Sequence, residues 1–241
     1  MSEVAHCLHT FSAQFGVSFG IFCEAAINSA SGNATTVCPD LRLSILATAA
    51  FASASDSHSM TIAAFPIPEV IRGINAFATG VKEVNPDATV EVVWTFTWFG
   101  PEAETQAANA LLETGVDVLA QHQDSPSTGI AAEAAGAKWI SYNTAYGQDA
   151  APGAFVTAPV WDWGPYYVEV VNSIVNDEFV AEAYWGGMDT GLISLYELTS
   201  DVPSETASLI SQRTDEIIGG SFDPPIVEDE FIDNVIGTVN P

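Results

Sequence analysis

The string Gln121-His122-Gln123-Asp124-Ser125-Pro126 sets an imidazole and a carboxylate two residues apart, just after the apolar run 116–120. Two chemistries suit the pair. Asp124 and His122 can serve as acid and base on a bound molecule, or the carboxylate can accept hydrogen bonds from a ligand's N–H groups and reject analogues that lack them. Each residue also has a plainer role open to it. Aspartate is a favoured helix cap and Pro126 follows closely, while His122 can be a hydrogen-bonding residue that serves only the fold. Aromatic side chains recur at Phe65, Trp98, Trp161 and Trp163. Their planes suit stacking on a flat ligand, worth about 0.5–1.5 kcal/mol beyond burial; core packing is the alternative for all four. Trp161 and Trp163 are separated by one residue, and one side chain is expected toward a cleft and the other toward the core.

Those residues acquire a common location from the elements around them. From residue 60 to about 163 the chain repeats one unit four times: a short apolar strand, a loop with aromatic and polar residues, then an amphipathic helix. The strands are expected at 61–65, 90–94, 116–120 and 138–142. Their carboxyl ends read Phe65-Pro66-Ile67-Pro68, Thr97-Trp98-Phe99-Gly100, Gln121-His122-Gln123-Asp124 and Tyr142-Asn143-Thr144. Such a rhythm builds an α/β fold, a parallel sheet with helices on both faces, and right-handed connections put all four loops on one edge. Ligands of open parallel sheets bind at that edge. In the first helix Val70, Ile71, Ile74, Phe77, Ala78, Val81 and Val84 form one apolar stripe, ended by Asn85-Pro86-Asp87. Gly100-Pro101 opens the second helix, Gly115 and Gly136 are placed to close the second and third, and Glu69 and Arg72 are spaced to pair across one turn. After Tyr142 the rhythm breaks. Residues 155–161 read as an extended crossing segment, followed by a helix with Tyr167, Val170, Val171, Ile174 and Val175 on one face, a strand-like stretch at 192–198 and a helix from 203 to 218.

Composition narrows the partners. The 241 residues carry 31 acids against 5 bases, a formal −26, which repels nucleic acid and anionic lipid surfaces alike. Acids spread over solvated faces with so few bases also suit salty surroundings, where counterions screen self-repulsion. No stretch approaches the roughly 20 apolar residues of a spanning helix. The first 59 residues hold Cys7, Cys23 and Cys38, no Trp and 4 of the acids, which sets a boundary near Ser59 between an unmatched segment, 1–59, and a folded domain, 60–241. An odd number of cysteines at irregular spacing supports neither a metal site nor a disulfide framework. Residues 42–54 resemble a secretory signal displaced into the chain, and Gly16-Val17-Ser18-Phe19-Gly20 fits the nucleophile-elbow pattern without its flanking strand.

Five long strings, in order, resemble one family: Phe65-Pro66-Ile67-Pro68-Glu69-Val70-Ile71-Arg72-Gly73-Ile74-Asn75, Asn85-Pro86-Asp87-Ala88, Gln121 to Pro126 as above, Thr157-Ala158-Pro159-Val160-Trp161-Asp162-Trp163-Gly164-Pro165-Tyr166-Tyr167, and Tyr184-Trp185-Gly186-Gly187-Met188. They are similar to the basic membrane protein family, the purine-nucleoside-receptor-like substrate-binding proteins of ABC importers. The resemblance implies the second lobe of a periplasmic-binding-protein type I fold plus a return segment, with most of a first lobe lacking. It further implies an extracytoplasmic solute-binding protein without catalysis or cofactor, located in the periplasm or on the outer face of the plasma membrane. Its expected partners are a purine base or nucleoside and a transporter permease, with membrane attachment only through a lost or displaced signal or lipid anchor. The implied ligand-binding residues are Phe65, Trp98, His122, Asp124, Trp161 and Trp163. Two other readings are an enzyme acting on nucleosides, and a fragment that binds no solute and exposes an apolar patch around residues 164–178 where a lobe would dock.

Overall fold

Pro66, Pro68, Pro86 and Pro101 interrupt the chain where no ladder N–H is available, and the β-branched runs between them become strands. The computed structural model describes residues 58–181, 184, 186–222, 227 and 230–239. Of these, Phe179, Val180, Ala181 and Tyr184 belong to one compact unit and all the others to a second, which contains the sheet. The cysteines, the signal-like stretch 42–54, the pattern at 16–20 and Trp185 lie outside the described residues.

The expected repeat is present as β1 (His58–Ala63), α1 (Pro68–Val84), β2 (Thr89–Trp94), α2 (Pro101–Leu112), β3 (Val118–His122), α3 (Ser127–Ala135) and β4 (Lys138–Ile140). There follow α4 (Gly147–Ala150), β5 (Phe155–Thr157), β6 (Pro159–Trp161), α5 (Gly164–Val175), β7 (Ile193–Leu195), α6 (Ser204–Ile218) and β8 (Val235–Val239). Six strands form one sheet in the order β5-β4-β3-β1-β2-β8, and every neighbouring pair is parallel. The segment expected to cross divides at Ala158. β5 joins the sheet, while β6 leaves it and pairs antiparallel with β7. β8 is a strand that no periodicity announced.

Side chains of successive strand residues point to opposite faces, and both faces of this sheet are buried. One face carries Met60, Ile62, Val93, Leu119, Trp139 and Phe155, packed with Ala107, Ala108 and Leu111 of α2 and Ala131 and Ala132 of α3. The other carries Ala63, Val92 and Trp94 against Val70 and Ile74 of α1. Gly129 lets α3 approach closely, because a Cβ there would stand 2.1 Å from the Trp139 indole. Gly136 caps α3 with a φ of +75°, as expected; Gly115 has a φ of +93° but stands in the turn beyond α2, which ends at Leu112. Asn75 explains the polar residue on the buried side of α1. Its Nδ2 donates to the carbonyls of Val227 and Glu230, at 2.8 and 2.7 Å, and its Oδ1 accepts from the Ile232 N–H at 3.1 Å. That clasp seats the segment leading into β8.

One shift in strand boundary matters for the site. β3 runs to His122, two residues beyond its apolar stretch, because the ladder with β1 continues to the pair of Ala63 and His122, past Ala120 where the ladder with β4 ends. His122 is therefore a strand residue, and the pleat decides which way its ring faces.

Candidate functional site

The alternation of β3 divides the polar string between the two faces of the sheet. His122 turns toward α1. Its Nε2 lies 3.2 Å from Glu69 Oε1 and 2.9 Å from the Tyr142 hydroxyl, and the imidazole and phenol rings are 4.3 Å apart. With the Nε2 proton donated toward Glu69, the Tyr142 oxygen shares the same proton. Burial acts to raise the Glu69 carboxyl, but the hydrogen bond and charge of His122, with the charge of Arg72, outweigh it and hold Glu69 below its ordinary value. The helical spacing had suggested Arg72 as the partner of Glu69. The direct contact goes to His122 instead, because the strand brings that ring to the first turn of α1.

On the opposite face the neighbours of His122 make a polar chain. Trp139 Nε1 donates to Gln121 Oε1 at 3.1 Å, Gln121 Nε2 donates to the carbonyls of Gln123 and Ser125, and Gln123 Nε2 donates to Thr95 Oγ1 at 2.5 Å. Glu104, fully buried in the first turns of α2, accepts from the Gly100 N–H at 2.9 Å and from Ser125 Oγ at 2.5 Å. Burial raises the Glu104 carboxyl above its ordinary value, against the opposing pull of the Ser125 and Gly100 hydrogen bonds.

Asp124 lies between these systems. Its backbone N–H donates to the carbonyl of Trp98 at 3.2 Å, and its half-buried carboxylate has no hydrogen-bond partner among the described residues. It is not the cap of α3. Pro126 holds that position, and the Ser127 N–H is bound by Ser125 Oγ at 3.3 Å. Burial pushes the Asp124 carboxyl up to about 6, with Glu104 and Glu69 adding to the rise and His122 opposing it. A carboxylate held out of water with both oxygens unspent is an acceptor looking for donors.

Aromatic rings gather at the same edge of the sheet. Phe65 stands 5.2 Å from Trp98, Trp98 stands 6.0 Å from His122, and Phe96 meets Phe65 edge-on at 6.3 Å. Trp98, Phe96 and Phe99 are exposed, at 38, 53 and 63%, although each is large and apolar. Phe96 and Asn143, at the ends of β2 and β4, have φ of 54° and 58°, strained backbone that clusters where loops carry function.

The expected division of Trp161 and Trp163 between cleft and core is not what occurs. The two indoles stack on each other, 5.7 Å apart and within 6° of parallel, and both are half-buried. β6 ends at Trp161 and the backbone is helical by Trp163, and the turn between them leaves both indoles on one side. Trp163 also stacks on Tyr167 at 6.1 Å. Trp161 Nε1 donates to Asn143 Oδ1 at 2.6 Å, which ties the stack to the loop following Tyr142. Phe65, Trp98, His122 and Asp124 thus form one group, and Trp161 and Trp163 a second beside the end of β4.

Glu69, Glu104, Tyr142 and Phe96 belong to the site without having been singled out from the sequence. Glu69 was findable, since the first turn of a helix that follows a strand lies at the same edge as the strand's end. Glu104 was partly findable, standing four residues after the Gly100 whose N–H it binds. A cavity of about 30 Å³ beneath the edge, lined in part by Thr61, Ile74, His122 and Tyr142, is far below the ~300 Å³ that holds a small-molecule ligand. Among the described residues no group of three or more His, Cys, Asp or Glu is placed to hold a metal ion, and no helix is long and apolar enough to cross a membrane.

The all-parallel sheet, with the loops carrying Phe65, Trp98 and Asp124 at one edge, defines an α/β domain of doubly covered parallel-sheet type. The profile of the PnrA-like ABC transporter substrate-binding proteins matches residues 46–221, and the chain belongs to that family, one of binding proteins and not enzymes. It is 41% identical over 162 residues to TsgA13 of Haloferax volcanii, provisionally named an ABC transporter glucose-binding protein, covering 67% of this chain and 41% of that one. It is 35% identical over 168 residues to a purine-binding protein of Brucella abortus, covering 68% and 46%. The chain thus spans less than half the length of these relatives. A solved ABC transporter solute-binding protein from Conexibacter woesei shares the fold, with a TM-score of 0.65 at 20% identity over 79% of this chain and 64% of that one. So does a transcriptional activator from Bacillus halodurans, with a TM-score of 0.68 at 22% identity over 79% and 66%. The fold alone therefore does not decide the function.

Proposed function

We infer that this chain contributes the solute-binding part of an ABC importer and holds a purine base or nucleoside outside the cytoplasmic membrane, for delivery to a permease. The carrying observation is Asp124, a desolvated carboxylate with no hydrogen-bond partner among the described residues, whose backbone N–H is bonded to the carbonyl of Trp98. A purine supplies what the pair lacks, N–H donors at its edge and a π face, whereas a sugar supplies hydroxyls and no face as broad. The purine-binding name of the Brucella relative supports this reading, and the glucose in the name of the Haloferax relative makes a sugar the competitor to test. Phe65 and Trp98 form the stacking wall, with Trp161 as a second ring beside it. His122, only 4% exposed and engaged with Glu69 and Tyr142, fixes the floor and does not reach the ligand with a free donor.

Titration calorimetry with adenine, adenosine, guanosine and glucose tests the assignment. Purine binding that weakens about 5- to 150-fold in Trp98→Ala, the loss typical of one stacked base, supports it. Heat with glucose alone overturns it.

A second reading rests on α5, which buries none of its residues and exposes Val168, Val171, Ile174 and Val175 by half or more. Isolated, such a face drives association. Beside relatives more than twice as long as the matched stretch, it is a docking face, and the described edge is one wall of a cleft. A monodisperse monomer in sizing experiments would refute the docking face.

A further inference from the structure

The two loops that carry Trp98 and Asp124 come from different strands, and parallel strands offer no ladder bond beyond their ends. Something else must hold ring and carboxylate in register. Beside the Gln123 Nε2 bond to Thr95 Oγ1, three further hydrogen bonds do so. Glu104 Oε1 accepts from the Gly100 N–H at 2.9 Å, fastening the loop two residues after Trp98; Glu104 Oε2 accepts from Ser125 Oγ at 2.5 Å, fastening the loop one residue after Asp124; and the Asp124 N–H donates to the Trp98 carbonyl at 3.2 Å, closing the circuit.

We propose that Glu104 is a positioning residue of the ligand site, a buried carboxyl that locks the Trp98 loop to the Asp124 loop so that ring and carboxylate are presented as one rigid unit. It rests on the function proposed above for that site. The local circumstances fit the role. Glu104 lies in the first turns of α2, where a carboxyl is favoured by the helix dipole, and it is fully buried, so no water competes for its oxygens. Gly100 leaves no freedom on its side, since a Cβ there would meet Thr97 Cγ2 at 2.5 Å. The arrangement also has an electrostatic consequence. The groups facing Asp124 are His122 from β3, Glu69 from α1 and Glu104 from α2, and the like charge of Glu104 helps to raise the Asp124 carboxyl. Glu104 thereby both fastens the loop of the proposed acceptor and adds to a rise of its carboxyl that burial mainly causes.

Glu104→Gln separates the two effects. Its amide oxygen accepts from Gly100 and its amide N–H donates to Ser125 Oγ, which turns its own proton to Ser127 Oγ 3.0 Å away, so the brace survives while the charge is gone. Three variants, Glu104→Gln, Glu104→Ala and Ser125→Ala, are compared with the parent chain, first without ligand. Amide exchange at Asp124 and Gly100 is expected to quicken in Glu104→Ala, and at Asp124 in Ser125→Ala, with both amides as protected in Glu104→Gln as in the parent. The carboxyl resonance of Asp124 is expected to titrate at lower pH in Glu104→Gln. With adenine as probe, Glu104→Ala and Ser125→Ala are expected to bind on the order of 10- to 100-fold more weakly, and Glu104→Gln within about threefold of the parent at neutral pH. Folded Glu104→Ala or Ser125→Ala protein with unchanged Asp124 exchange overturns the proposal, as does a Gln variant as damaged as the Ala one. If Glu104→Ala does not fold, Ser125→Ala and Glu104→Gln decide by the same criteria. The exchange and titration arms need no ligand, so they stand even where the parent shows no heat with adenine, the result that would defeat the purine assignment instead.

Discussion

Acidification is the sharpest test of Asp124. Its carboxyl sits at about 6 because burial outweighs the pull of His122, and the ionised form is much the stronger acceptor for a purine N–H. Folded-state pKa is raised, so the acceptor is lost as pH falls through about 6 rather than through the ordinary carboxylate range near 4. At pH 5 about one molecule in eleven carries the carboxylate, against nearly all at pH 7.5, and affinity should fall about tenfold between the two. Inosine is a suitable ligand, since it does not titrate in this interval. Calorimetry at half-unit steps from pH 5 to 7.5 gives the profile, with circular dichroism showing that the fold persists. Asp124→Asn should bind about 10- to 100-fold more weakly at pH 7.5, and its profile should be flat. Affinity constant within about twofold across the range, or the same slope in the Asn variant, refutes the assignment and moves the titration to another group in the site.

Other outcomes follow from the same geometry. A raised acid is stabilising in its protonated form and strained when ionised, so Asp124→Asn should resist urea better than the parent at pH 7.5, with the advantage shrinking through about 6 and gone near pH 4. Gly129→Ala, which drives a Cβ into the Trp139 ring, should lose about 1–3 kcal/mol in the same assay, and the loss should shrink in a Trp139→Leu background. Asn75→Ala leaves the carbonyls of Val227 and Glu230 and the N–H of Ile232 without their side-chain partner. Faster amide exchange along β8, with β3 still protected, is expected; equal loosening of both strands would assign Asn75 to the general core. With a formal −26, the melting temperature should rise from 0.1 to 2 M salt, and a temperature that did not rise would remove the inference of salty surroundings.

Much of this protein was legible from local signals. Strand and helix alternation between 58 and 140, the helix stripe from Val70 to Val81, the cap at Gly136 and the gathering of Trp98, His122 and Asp124 at one edge all follow from period, punctuation and handedness, which act over a few residues. The family, too, could be read from strings of residues. What lay beyond the sequence depended on partners far along the chain. His122 became a strand residue because the ladder with β1 carries β3 two residues past its apolar run, and only that extension turned its ring to Glu69, 53 positions away. β8 found its place through Asn75 of α1, more than 150 residues earlier. Trp161 and Trp163 stack on each other across the turn from β6 into α5, a contact that their spacing did not announce. Glu104 read as one more surface acid among 31, and only the approach of two loops from separate strands buried it and made it a brace. Local periodicity decides which elements form and which edge they share; burial and hydrogen-bond pairing at that edge are properties of neighbours that meet only in the folded chain.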